Sequence, residues 1–166
     1  MGRLDVNTSG LLLLTTDGEL AHRLMHPSTG IEREYLVRLR GRPGRDVVDR
    51  LLAGIELEDG PARFTRVAVD ASEGAGANGR GSGGGSHSTF RVVLQEGRKR
   101  EVRRLWQAAG FEVSRLLRIR YGPIELPRDL RPGAFRLATP GVYARLRTAA
   151  TASAGEGRGT APPTSK

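Results

Sequence analysis

Residues 101–120 read EVRRLWQAAGFEVSRLLRIR, and a change of period inside this stretch decides the fold class. Val102, Leu105, Trp106 and Ala109 recur at i, i+3, i+4 and i+7, which predicts an amphipathic helix over residues 100–109 that Gly110 terminates. Beyond Gly110, residues 113–120 read as a strand. On the amino-terminal side, residues 33–40, REYLVRLR, alternate with a period of two that puts Tyr35, Val37 and Leu39 on one face of a strand. Arg42, Pro43 and Gly44 form a turn before a short helix over residues 46–53, with Gly54 as its terminator. Strand patterns return at residues 62–70 and 90–95. Residues 10–16, GLLLLTT, read as a buried strand, followed by a helix that Asp17 caps, that buries Leu20, Leu24 and Met25, and that Pro27 ends. Two further strands are expected at residues 134–137 and 142–146. Seven or eight strands with three short helices, strands often following strands, predict an α+β fold with a mainly antiparallel mixed sheet.

Residues 72–88, SEGAGANGRGSGGGSHS, cannot pack a core and are expected to form a flexible connection whose flanking strands still pair. From residue 149 the sequence is small, polar and proline-containing. The expected organisation is therefore one domain over residues 1–148, interrupted at 72–88, and a disordered tail over 149–166.

The chain has 166 residues, a formal net charge of +9 and no cysteine. The missing thiol excludes disulfide scaffolds, zinc-thiolate sites, iron–sulfur clusters and cysteine nucleophiles, and suits a reducing cytoplasm. The longest apolar run, residues 11–14, falls far short of the roughly 20 residues a bilayer span needs. Of the 27 basic residues, only Lys99 and Lys166 are lysines. Arginine's planar fork grips phosphate and stacks on bases, so the expected partner is a nucleic acid. Residues 98–120 hold Arg98, Lys99, Arg100, Arg103, Arg104, Arg115, Arg118 and Arg120 against Glu101 and Glu112, a net +6 in 23 residues. A solvated helix face and a polar strand face are the plain alternative. The aromatic residues are too scattered for a single-strand stacking groove, and Trp106 falls on the apolar helix face.

His22, His26 and His87 are isolated, with no HExxH spacing, and no G-x-S-x-G elbow is present. A carboxylate remains. Asp5, in GRLDVNTSG, precedes a predicted buried strand and sits between Arg3 and an Asn-Thr-Ser cluster that could hold sugar or phosphate oxygens. A turn-forming or capping role is the alternative for that carboxylate.

Three segments change the weight of these readings. GRLDVNTSGLLLLTTDGELAHRLMHPS (2–28), EREYLVRLRG (32–41) and EGRKREVRRLWQAAGFEVSRLLRIRYGPIEL (96–126) occur in this order. Together they resemble the bacterial ribosomal small-subunit pseudouridine synthase A family over most of residues 2–147, and within it the branch that acts on the large subunit. The resemblance implies the pseudouridine synthase catalytic fold and isomerisation of a uridine in ribosomal RNA, expected in the large-subunit 23S RNA, with no cofactor or metal. The base leaves its ribose, turns, and rejoins through carbon. By the same resemblance Asp5 is the catalytic aspartate, acting as a nucleophile on the ribose or as a base that helps form a glycal. Tyr35 packs against the target base with a proton-transfer role, and Arg103 pairs with the aspartate, although phosphate binding would also suit it. Arg3 fills the stack that the base vacates, and Leu117 lines the pocket. Asn7, Thr8 and Ser9 lie where they could contact RNA, as do the cations Arg98, Lys99, Arg100, Arg104 and Arg118. A monomer in the cytoplasm is expected.

Family members ordinarily carry, ahead of GRLD, a small RNA-binding domain of the ribosomal-protein S-four type and the opening strands of the catalytic domain. The sequence begins at the signature, so the expectation is a late start methionine in a longer gene and a sheet lacking its first strands. A catalytically idle, basic RNA-binding fragment is the competing function. A generic DNA-binding domain finds no helix-turn-helix, zinc-finger or basic-zipper pattern.

Overall fold

A computed structural model of the chain describes residues 2–70 and 87–152. Along these residues run β1 (Ser9–Gly10), α1 (Gly18–Met25), β2 (Arg33–Arg40), α2 (Arg45–Ala53), β3 (Ile55–Leu57) and β4 (Gly60–Ala62). They are followed by β5 (Arg66–Val69), β6 (His87–Leu94), α3 (Glu101–Ala108), β7 (Glu112–Tyr121), β8 (Ile124–Glu125) and α4 (Pro140–Ala152). The main sheet has the order β1-β7-β2-β6-β5, with β8 folded back on β7, and β3 and β4 form a separate hairpin. Every pairing is antiparallel except β1 with β7. The fold is thus α+β with a mainly antiparallel mixed sheet.

The alternation expected in β2 places Val37 and Leu39 in the core, paired with Phe90 and Ser88 of β6 on one side and with Leu116 and Val113 of β7 on the other. Helix α3 lays Val102, Leu105 and Trp106 onto this face. Trp106 is fully buried, its ring centre 5.3 Å from Phe90 and 5.8 Å from Phe64. Trp106→Ala should therefore cost about 3–5 kcal/mol of unfolding free energy, read as a lower urea midpoint. A second cluster gathers Leu11, Leu20, Leu24, Ile31, Tyr121, Leu146 and Ala150 around α1 and α4.

Several sequence expectations need correction. Of the strand predicted over residues 10–16, only Gly10 falls within a described strand, β1, which begins one residue earlier at Ser9; Leu11 follows it, buried and donating from its N to Arg118 O of β7 at 2.8 Å, and Leu14 is largely exposed. Residues 134–137 form no strand, and Phe135 and Leu137 stand in solvent. Residues 142–146, predicted as a strand, lie in α4, whose Val142, Leu146, Ala149 and Ala150 meet α1 at helical spacing. That helix runs past the expected domain end at 148, so residues 149–152 belong to the fold, while the rest of the predicted tail lies outside the described residues. His87 and Ser88, assigned to the flexible connection, start β6, and Ser88 Oγ donates to Gly41 O at 2.7 Å. The remainder of that segment, residues 72–86, lies outside the described residues; its flanking strands β5 and β6 do pair. Among the described residues no helix is long and apolar enough to cross a membrane.

Asp17 caps α1 as expected: Oδ1 accepts from Leu20 N at 2.9 Å, while Oδ2 accepts from the Tyr143 hydroxyl at 2.8 Å and ties α1 to α4. These hydrogen bonds, the Leu20 amide first, hold its carboxyl below the ordinary 3.8. A lowered folded-state pKa contributes stability above the unfolded value and loses it as the pH falls through the folded one. The melting-temperature gap between the native chain and Asp17→Ala should accordingly narrow as the pH drops below 3.8. A gap independent of pH in that range would contradict the assignment.

Candidate active site

The site is built on the parallel contact of β1 with β7. Gly10 sits at φ 111°, and a Cβ there would come within 2.2 Å of Arg118 O, so only glycine allows this approach. Leu11 N donates back to Arg118 O at 2.8 Å. The Arg118 side chain, 2% exposed, then turns under the amino-terminal segment. Its Nε donates to Leu11 O at 2.8 Å and its Nη1 to Arg3 O at 3.5 Å, while the guanidinium lies 5.2 Å from the Tyr121 ring centre. One buried arginine thus holds both ends of the segment that carries Asp5. Within it, Thr8 N donates to Asp5 O at 2.8 Å and closes the turn.

This turn forms one wall of a cleft of about 430 Å³. Asp5 and Thr8 line it from the turn, Tyr35 from β2, Leu116 and Arg118 from β7, and Arg98, Lys99 and Arg100 from the loop before α3, with Arg3 also in the lining. Asp5 and Tyr35 are both half-buried. A second hollow of about 750 Å³ adjoins it, lined by residues that include Asn7, Arg100, Arg103 and Gln107.

The residues singled out from the sequence fall into distinct roles. Arg103 makes no ion pair with Asp5; its Nη1 donates to Val113 O at 2.8 Å and its Nη2 to Asn7 O at 2.6 Å, so it buttresses the turn through its backbone. Burial and the neighbouring Arg100 push its pKa down, while the nearby Asp5 charge acts in the opposite sense. Arg98 is committed to the β3–β4 hairpin, donating to Asp59 O, Gly60 O and Pro61 O, with its Nε on Glu96. Arg104 forms a two-pronged pair with the Asp59 carboxylate at 2.7 and 2.8 Å. The Ser9 hydroxyl donates to Leu116 O at 3.5 Å and is not in the cleft lining. Leu117 pairs with Ser9 and Leu36 on the opposite side of β7, and its neighbour Leu116 occupies the lining instead. Arg3, Lys99 and Arg100 are exposed and make no ion pair among the described residues, which leaves three cations for a ligand. Thr8 Oγ1 and Arg118 Nη2 are buried without partners beside the same cleft.

Arg33 escaped the sequence reading. It is 6% exposed, lines the cleft, and donates to Ile31 O, Gln95 O, Glu96 O, Leu24 O and Tyr121 Oη. Its signal was an arginine sharing the parity of Tyr35, Val37 and Leu39 in a strand with one inward face. Glu101 entered the sequence reading only as a charge against the basic cluster, whereas its buried carboxylate accepts from Arg98 N at 3.1 Å and sets the loop before α3, and desolvation pushes its pKa up.

Comparison with known proteins adds to this geometry. The model of the family described as RNA pseudouridylate synthase matches residues 1–108. Ribosomal large subunit pseudouridine synthase B of Yersinia pestis is 53% identical over 135 residues, which cover 81% of this chain and 39% of that protein. The protein of the same name from Pseudomonas aeruginosa is 51% identical over 136 residues, covering 82% and 33%. The chain therefore spans well under half the length of these curated relatives. A crystal structure of a pseudouridylate synthase superposes with a TM-score of 0.72 at 29% identity, over 87% of this chain and 57% of that one. A chain of an archaeal box H/ACA ribonucleoprotein complex shares the fold, with a TM-score of 0.51 at 18% identity over 78% and 40%.

Proposed function

The chain belongs to the RNA pseudouridylate synthase family, and from that premise we propose that it isomerises a uridine of large-subunit ribosomal RNA to pseudouridine, with Asp5 as the catalytic group. The observation that carries this reading is the meeting of Asp5 and Tyr35, from segments thirty residues apart, in one cleft whose rim holds the unpaired cations Arg3, Lys99 and Arg100.

In the reaction the bond from the uracil N1 to the ribose C1′ breaks, the base turns, and C5 of the ring bonds to the same sugar carbon; the proton on C5 is then lost and N1 takes up a proton, so the product is an isomer. Asp5 serves as the nucleophile on the ribose or as the base on the path through a glycal; both need a carboxylate held at a fixed place. Tyr35, projecting from the sheet beside it, packs against the base, and Leu116 closes the apolar side. Arg3, at the exposed rim, is suited to fill the gap left in an RNA stack, since a flat guanidinium can take the place of a base. The remaining rim cations hold phosphates. Arg103 supports the catalytic turn from behind by gripping Asn7 O. The chain acts without a cofactor, as a cytoplasmic monomer.

Carbodiimide mapping of pseudouridine on ribosomal RNA incubated with the chain tests the proposal. A new modified uridine in large-subunit RNA is the expected result. RNA retained by the chain in a salt-sensitive way with no pseudouridine formed would support an idle RNA-binding fragment instead.

A further inference from the structure

We propose that the hollow beside the cleft is a subsite for the nucleotide adjoining the target uridine, and that Arg100 grips the phosphate linking the two. The proposal rests on the RNA reading above and deepens it. Arg100 is the one non-glycine residue with a positive φ, 53°, among the described residues. A residue with a Cβ adopts that conformation at a cost, and such strain gathers where function requires it. Among the described residues nothing uses its guanidinium: its carbonyl accepts from Arg104 N, but its exposed side chain has no hydrogen bond or ion pair there. Arg100 nevertheless lines both the cleft and the hollow, so its charge stands on the saddle between them.

An RNA strand whose uridine enters the cleft must continue past this saddle, and its next phosphate meets the unpaired cation there. The hollow beyond is equipped for a base. The exposed side-chain amides of Asn7 and Gln107 have no hydrogen bond among the described residues, and each offers a donor and an acceptor, as the edge of a nucleobase does. Phe111 adds an apolar surface at the far side, held edge-on against Trp106 with ring centres 6.4 Å apart. The hollow's one carboxylate, Glu112, is paired with Arg40 at 3.0 Å and so does not set a bare negative charge against a phosphate.

The test measures binding of the 166-residue chain to short single-stranded RNAs with one uridine, intact or carrying an abasic site on either side of it. Arg100→Gly should weaken binding about tenfold and lower the salt slope by about one. The same variant should melt no lower than the native chain, because glycine accepts a positive φ. An abasic site on one side should weaken binding to the native chain about tenfold, and Gln107→Ala should erase that penalty. Native-like affinity in Arg100→Gly, or an abasic penalty unchanged in Gln107→Ala, would overturn the subsite while leaving the RNA reading intact. If the native chain binds none of these RNAs, the RNA reading falls and the subsite with it.

Discussion

Asp5→Asn should abolish pseudouridine formation, a fall of at least about a thousandfold, while leaving RNA affinity within about twofold of the native chain. The substitution keeps the size of the side chain and removes its negative charge. The turn around it is made by backbone groups, Asp5 O accepting from Thr8 N, and by Arg118 and Arg103 holding Arg3 O, Leu11 O and Asn7 O. None of these bonds involves the Asp5 carboxylate, and among the described residues the carboxylate has no ion-pair partner, so the turn keeps its hydrogen bonds when the charge is removed. Affinity resides in the rim cations, which the variant leaves in place. Single-turnover product measurement beside a binding titration separates the two quantities, and product formed by Asp5→Ala would remove Asp5 from the chemistry.

Arg118→Lys should have the next largest effect, a loss of about a hundredfold in the rate of isomerisation with RNA affinity changed less than about threefold. Although the charge is kept, an ammonium on a single stem cannot reproduce a fork that reaches Leu11 O and Arg3 O at once while lying over Tyr121. The segment bearing Asp5 would lose one of its two anchors. If Arg118 instead served as a phosphate contact, as its place in a basic cluster suggested, lysine would largely substitute for it in catalysis and Arg118→Met would weaken binding. A rate loss confined to the bound complex, restored in no lysine variant, identifies the positioning role.

Elements whose periodicity repeats over two or more turns of pattern were legible in the sequence. The alternation of β2 and the i, i+3, i+4, i+7 spacing of α3 report burial directly, and both elements stand where expected. Residues 10–16 read as a buried strand because they form a short apolar run bounded by Gly10 and Asp17-Gly18, yet how far a ladder extends depends on its partner strand, which local pattern does not reveal. The carboxy-terminal helix was missed because Val142 and Leu146 were read without Ala149 and Ala150, small residues that complete the helical stripe against α1.

The site was half legible for a related reason. Composition shows where cations lie along the chain but not which carboxylates and carbonyls meet them after folding. Arg98 and Arg104 find their partners in a hairpin some forty residues earlier, at Asp59, Gly60 and Pro61, and so are committed to structure. Arg118 reaches across more than a hundred residues to Leu11 and Arg3. On β7 the period of two makes adjacent residues face opposite ways, which explains why Leu116 and not Leu117 meets the cleft.

The two-residue pairing of Ser9 with Leu117 and of Gly10 with Arg118 also sets an order of events during synthesis. Chains emerge amino end first, at roughly 5–20 residues each second. Asp5 is therefore made many seconds before the arginine that will hold it, and until residue 118 clears the ribosome its carboxylate has no defined location. With Asp5 as the catalytic group proposed above, a nascent chain surrounded by ribosomal RNA would stay chemically silent until residue 118 has been made, and competence would arrive in one late step.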